Sequence, residues 1–570
     1  MSDARPEDRA KARAQFQRGV ALQEADRLDA AASAFAEAAE LWPGMGRAHL
    51  RRGIVLAELD RPEAAVASLQ RACDLLPERD DAWFHLANAH QKTGGFASAA
   101  AAFQTAARLR PDWADAWFNL GVCRQRCGQL DDAIAAFETA RRLRPDWDLA
   151  SYHLAAARQI AGRDIEAMAA FRDALDLRPD WPEAWFALGT IQLAHGVAVD
   201  AVNAFGETLR LRPNWDEASL HLGLARMAAG EYGGADQALR RALELRPRWA
   251  EAALQLAIAL AQRPDYAAAE AMLRDAVAWA PDASAPHLHL GLMRRAQGDA
   301  AEALACFRRA AELEPRSLPA RTHLARALMV ANAPEATRAW REAVALEPKM
   351  AAPARRVIFV HIPKCGGSTV YGLFAGHYPP TRTLSVDRDS EIAALRTMPT
   401  EIADALYFVG GHGKRSDFAR FEDGNPLFVT VLRDPVERLD STWRYLARNP
   451  FLHDGPAAAL GTLDSYVAFQ ERRAGRRANQ QCRYVSGGYR AGPAIAALER
   501  DFALVGVTER LPAFIAALGE AAGIPTDSLT SYNVDRTSQR EPIPAALRAR
   551  IETLCAQDMA LYRAAAERAP

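Results

Sequence analysis

Little in this chain points to a membrane, a structural metal or a disulfide framework. No run approaches the roughly 20 apolar residues of a membrane span, and the first nine residues, Met1 to Arg9, are polar and lack the apolar centre of a signal peptide. Cysteine is sparse and odd in number, seven in all, with no zinc-type pairing. Cys123 and Cys127 share a helix face without further ligands and read as packing residues, and this usage suits a reducing, cytoplasmic compartment. Charge of one sign is also lacking: the net value is −1, so no general pull toward nucleic acid or anionic lipid is expected, and any basic site must be local. What the chain has is length. Its 570 residues exceed a single core, and at least two domains follow.

Prolines at 43, 77, 111, 145, 179, 213, 247, 281 and 315 are spaced by 34 residues, and Pro348 follows after 33. That period is the tetratricopeptide signature. Within the unit after Pro111, Trp117, Leu120 and Gly121 fall on a first helix, and Ala133, Phe137 and Ala140 on a second; His287 stands in the Trp position of the unit after Pro281. Each Pro ends a second helix. About ten repeats are predicted over residues 1–350, the last of them, Arg316 to Pro348, atypical and capping. Eleven of the twelve tryptophans lie here, so they read as solenoid core rather than as a stacking site. Such a superhelix presents a concave surface suited to a protein partner. Residues 351–356 form a linker short enough that the last repeats should pack on the following domain, 357–570.

That second domain opens on a buried-strand signal, Val357 to Val360, followed by His361-Ile-Pro-Lys-Cys-Gly-Gly-Ser-Thr369. Gly366 and Gly367 allow a tight loop, and Ser368 and Thr369 sit where a helix N-cap belongs. Backbone N–H groups at a helix start attract anions, and Lys364 adds a charge. Lys364 precedes the glycines, whereas a Walker loop carries its Lys after them, so a nucleotide kinase is disfavoured. A second strand, Pro426 to Leu432, leads to Arg433-Asp-Pro-Val-Glu-Arg-Leu-Asp-Ser441, where Arg433 and Ser441 can hold a second phosphate.

A strand–PKxGGST–helix unit followed by strand–RDPxxRxxS–helix resembles the PAPS-dependent sulfotransferases, and is most similar to the carbohydrate branch that includes the heparan sulfate 2-O-sulfotransferases. The resemblance extends to Tyr407-Phe-Val-Gly-Gly-His412, to Asn479-Gln-Gln-Cys-Arg483, to Leu504 through Arg510, and to Asn533-Val-Asp-Arg536. It implies an α/β domain with a central parallel sheet, of P-loop-like sulfotransferase fold, binding PAPS at the carboxyl ends of the strands. By resemblance, the loop from Lys364 through Cys365, Gly366, Gly367, Ser368 and Thr369 wraps the 5′-phosphosulfate. Arg433 and Ser441 bind the 3′-phosphate, Arg536 contributes to the cofactor, and His412 is the general base. Cys365 often corresponds to Thr in the family and reads as loop packing rather than a nucleophile. The Golgi members carry a membrane anchor that this chain does not show, which favours a bacterial cytoplasmic enzyme.

Sulfuryl transfer requires neutralisation of charge spread over oxygen atoms, as phosphoryl transfer does. Lys364 is the candidate to meet charge on the leaving oxygen, and no metal is expected. An imidazole with an ordinary pKa near 6.5 suits a base at neutral pH; Asp434, Glu437 and His377 are fallback bases. The implied acceptor is a glycan or another hydroxyl compound. Two alternatives stand beside it: a protein sulfotransferase whose repeats present the acceptor, and a scaffold whose PAP-binding domain is degenerate.

Overall fold

The computed structural model describes residues 5–263, 265–347, 355–448, 462–472, 479–524 and 543–570. Two compact units emerge, Met1–Ala259 and Leu260–Pro570. The first consists of helix pairs. In the repeat after Pro111, the helices Ala114–Arg126 and Leu130–Leu143 meet where Gly121 faces Phe137: a Cβ on Gly121 would stand 2.7 Å from the Phe137 ring, so only glycine admits the ring. Gly128, at φ +75°, turns the chain between them. Trp83, Trp117 and Trp185 each donate an indole N–H to the carbonyl of the Pro six residues earlier at 2.9–3.0 Å. Five inter-repeat joints carry one further device: Arg110, Arg144, Arg178, Arg212 and Arg246 lie over the Trp three residues on, 4.2–4.6 Å from the ring centroid. Each stack contributes about 0.5–1 kcal/mol at an exposed site, so the arginines and tryptophans of these joints are absorbed by the array itself. Cys123 is buried as expected, but Cys127 is exposed at the helix end, outside the packed face.

In the second unit His287 does replace tryptophan, its Nε2 lying 3.0 Å from the Pro281 carbonyl oxygen. The final pair, Leu318–Val330 and Ala336–Val344, is short on its second member. These helices share a core with the α/β domain: Phe307, Met329 and Trp340 pack in one apolar cluster with Leu384, Val386, Met398 and Ile402. Polar ties follow the same seam, from Arg341 to Glu401 and from Arg382 to Glu347 at 3.0 Å.

Five strands, β1 (Val357–Val360), β2 (Thr383–Val386), β3 (Phe408–Gly411), β4 (Leu427–Leu432) and β5 (Leu504–Val507), form one sheet in the order β2-β3-β1-β4-β5. All pairings are parallel. β1 and β4 are buried on both faces, as near-continuous apolar strands in a parallel sheet should be. Their side chains alternate: Ile358 and Val360 enter the core shared with the repeats, while Val357 and Phe359 pack with Phe514 and Leu518 on the other face. The polar exception, Thr430 in β4, donates its hydroxyl to the Val360 carbonyl at 2.8 Å.

Candidate functional site

β1 leads away to β2 on one side and β4 leads to β5 on the other, so the crevice outside their carboxyl ends is where an open α/β sheet receives a ligand. Both sequence motifs begin there. After β1 the loop turns through two left-handed residues, Lys364 at φ +69° and Gly366 at φ +77°, into the helix Gly367–His377. Gly366, not Ser368 or Thr369, is the N-cap; the two hydroxyl residues occupy the first helical turn, with Ser368 exposed. Gly367 is fixed by space, since a Cβ there would lie 1.9 Å from His361 Nε2.

After β4 the backbone of Arg433 is held on both sides by one amide. Its N–H donates to Gln481 Oε1 at 3.0 Å, and its carbonyl accepts from Gln481 Nε2 at 2.9 Å. The Arg433 guanidinium donates to the Lys364 carbonyl at 3.2 Å, which ties the two loops together. Asp434 is structural, capping the helix Pro435–Arg448 by accepting from the N–H groups of Val436 and Glu437. On that helix Ser441 and Tyr445 share a face, being four residues apart. The Lys364 ammonium lies 3.3 Å from the centroid of the Tyr445 ring, so this face is turned to the loop after β1. Lys364 and Arg433 have no carboxylate ion-pair partner among the described residues, and burial depresses the Lys364 pKa.

His412 follows β3 directly. Its N–H donates to the Val386 carbonyl at 2.9 Å, and Gly411 beside it admits β2 closely, since a Cβ would lie 2.0 Å from the Val386 oxygen. The His412 ring lies against His361, centroids 4.5 Å apart, with its Nδ1 3.6 Å from Asp387 Oδ1. His412 Nε2 and His361 Nδ1 are buried without hydrogen-bond partners. Burial and the Lys364 charge lower the His412 pKa against the pull of Asp387; burial, His412 and Lys364 bring His361 down to about 3. His361, Asp387 and His412 each present a ligand atom within 4.8 Å of the others, the composition a metal ion would need. The same Lys364 charge that depresses both imidazoles opposes a cation between them.

Cys365 is fully buried, its thiol pushed up to about 12 by burial and its Sγ 3.8 Å from Gln481 Oε1; it packs the loop, and only its backbone is left for a ligand. Glu437 faces Arg548 at 3.6 Å, and His377 ends the helix that Gly367 begins, about 15 Å away by helical rise. Arg536 lies outside the described residues. No role for His361, Asp387, Tyr445, Gln481 or Asp558 follows from the sequence motifs alone. Asp387 carried one usable signal, an acidic residue just past a strand end.

Family profiles for the tetratricopeptide repeat match residues 11–80, 84–148, 124–182 and 220–286, and a second such profile matches 286–317. Among solved structures, the chain is similar to the C-terminal part of a TPR repeat-containing protein from Cytophaga hutchinsonii, at 19% identity over 42% of this chain and 99% of that one, TM-score 0.37. It is also similar to MamA, at 22% identity over 30% and 94%, TM-score 0.29. A third is YrrB, described as a TPR protein with an unusual peptide-binding site, at 19% identity over 33% and 96%, TM-score 0.31. No curated protein matches the sequence. The chain carries a tetratricopeptide-repeat array across residues 11–317, followed by a region built on a five-stranded parallel sheet.

Proposed function

We propose that residues 357–570 are a PAPS-dependent sulfotransferase of P-loop-like fold, and that the repeat array is its protein-interaction scaffold. One observation carries the reading. Lys364 and Arg433, two cations with no carboxylate ion-pair partner among the described residues, stand at the carboxyl ends of adjacent strands, the Arg433 guanidinium bonded to the Lys364 carbonyl. A ligand with two anionic groups answers that arrangement.

PAPS supplies an activated sulfuryl group whose bond to the 5′-phosphate breaks as a bond to the acceptor oxygen forms. The start of the Gly367–His377 helix, with Ser368 and Thr369, binds the 5′-phosphate, and Lys364 meets the charge left on the bridging oxygen. Arg433 and Ser441 hold the 3′-phosphate. Asp387, 3.6 Å from Nδ1 of His412, opposes the lowering of the imidazole pKa, and the half-buried imidazole takes the proton of the acceptor hydroxyl. No residue in this scheme needs a metal. The resemblance favours a glycan acceptor; a protein acceptor presented by the repeats is the second reading, and the peptide-sized surfaces of such arrays favour it.

The test is a thermal-shift titration of the full chain with PAP, using ADP as control. At 100 times its Kd a ligand stabilises by about 2.7 kcal/mol, which is on the order of 5 °C here. PAP is expected to raise the melting point of wild type and not of Arg433→Ala, with little response to ADP. Equal responses to PAP and ADP would remove the 3′-phosphate site, and no response to either would leave a scaffold.

The pH profile gives an independent check. His412, facing His361, Asp387 and Lys364, must be neutral to accept a proton, and its pKa is lowered below 6.5. Activity is therefore expected to stay level through neutral pH and to fall only below 6.5. At the other limb Lys364, lowered from 10.5, must stay charged, so the alkaline decline begins below 10.5. An acid limb centred above 6.5 would rule out His412 in this environment.

A further inference from the structure

The unit Leu260–Pro570 contains a cavity of about 280 Å³ beside the free edge of β2, closed on its other side by the last repeats. We propose that it binds a small amphipathic monocarboxylate, an aryl or medium-chain acid. This inference is independent of the PAPS reading.

Its walls are apolar, from Ala303, Phe307, Met329, Val330, Leu384 and Val386. Three guanidiniums also line it, those of Arg295, Arg326 and Arg388. Arg326 is half-buried, and its pKa is brought down to about 10 by burial and by the charge of Arg295. One end of its side chain is anchored, Nη2 donating to the carbonyls of Pro380 and Thr383, while its buried Nε has no partner. Arg295 makes no ion pair among the described residues. Arg388 is held by the Ala296 carbonyl.

Two carboxylates face these three cations. Glu391 is committed to the backbone, accepting from the N–H groups of Asp387 at 2.9 Å and Arg388 at 3.3 Å. Asp389 is exposed. Behind the guanidiniums lie His289 and His323, both with lowered pKa values, His323 at about 3 through burial and the neighbouring arginines. Neither imidazole adds charge at neutral pH, and neither removes it. The cavity thus carries three positive and two negative groups, a surplus of one.

An unpaired charge held away from water is costly, and a guanidinium matches a carboxylate with two parallel bonds. A single carboxylate balances the surplus where a phosphate dianion would overshoot it. The space equals that of about nine waters, enough for an eight-carbon acid with its tail against the apolar wall.

The probe is octanoate, titrated into the full chain by calorimetry, with octanol and inorganic phosphate as controls. One site per chain is expected for octanoate, with affinity at least tenfold above either control. Arg295→Gln, which removes a cation that anchors nothing, should weaken octanoate at least tenfold and leave the melting point within a degree. Ala303→Phe, which fills the cavity, should abolish the site. Octanoate binding no tighter than octanol, phosphate binding as well as octanoate, or binding unchanged in Arg295→Gln would each overturn the proposal.

Discussion

Replacing His412 by Ala is expected to reduce sulfuryl transfer by about 10²–10⁴-fold while leaving the affinity for PAP nearly unchanged. The separation follows from where the ring sits. Its neighbours are His361 and Asp387, on the β1 and β2 side of the crevice, whereas Arg433 and Ser441, proposed to hold the 3′-phosphate, stand past β4. Arg433, by contrast, is held by Gln481 and by the Lys364 carbonyl, and none of these bonds involves the His412 side chain. Release of PAP over a panel of sugar and peptide hydroxyls measures the effect. Turnover that survives in His412→Ala would assign the base elsewhere, and joint loss of turnover and PAP binding would mean that His412 shapes the crevice rather than acting in it.

Asp558→Ala is expected to cost about 3–5 kcal/mol, far more than a surface substitution in the α/β domain. The side chain is fully buried. Its two oxygens accept from the N–H groups of Gln481 and Cys482 at 3.0 and 2.9 Å, holding the start of the helix Gln480–Ser486. Arg438, almost as buried, stands 3.7 Å away and would lose this carboxylate. Gln481 in turn clamps the Arg433 backbone, so the damage runs from a buried carboxylate to the proposed 3′-phosphate site. A fall of the PAP-responsive melting transition by roughly 10 °C, with the PAP response itself weakened, is the expected record. A melting point within about 2 °C of wild type would show that the pair is held by other contacts.

The repeat array was legible because its information is local and periodic: proline every 34 residues, and aromatic and small residues in fixed places, specify each helix pair without reference to distant chain. Strands β1 and β4 were legible as local apolar runs, whereas β2, Thr383–Val386, was not read from the sequence. The sheet order was not, and the site depends on it. His361, Asp387 and His412 come from the ends of three different strands, and they meet because β2, β3 and β1 are neighbours in parallel register, Val386 beside Gly411 and Gly411 beside Val360. Knowledge of that order would have paired Asp387 with His412 at once. Gln481 falls within one of the motif segments, but its function is a contact across 48 residues, which no local pattern encodes. The position of Ser368 and Thr369 inside the helix instead of at its cap turns on a single backbone angle, the left-handed Gly366.

The apolar cluster joining Phe307, Met329 and Trp340 to Leu384, Val386, Met398 and Ile402 sets a limit on how this chain can be recombined. Repeats far upstream meet at joints that differ little from one another, so whole 34-residue units can be gained or lost there with each new joint resembling the old. The final helices have given up that interchangeability for a bespoke fit to one sheet. Lineages of this architecture should therefore vary in repeat number from the amino-terminal side, and a graft of the sheet-bearing region onto a foreign array would have to carry the last two helix pairs along.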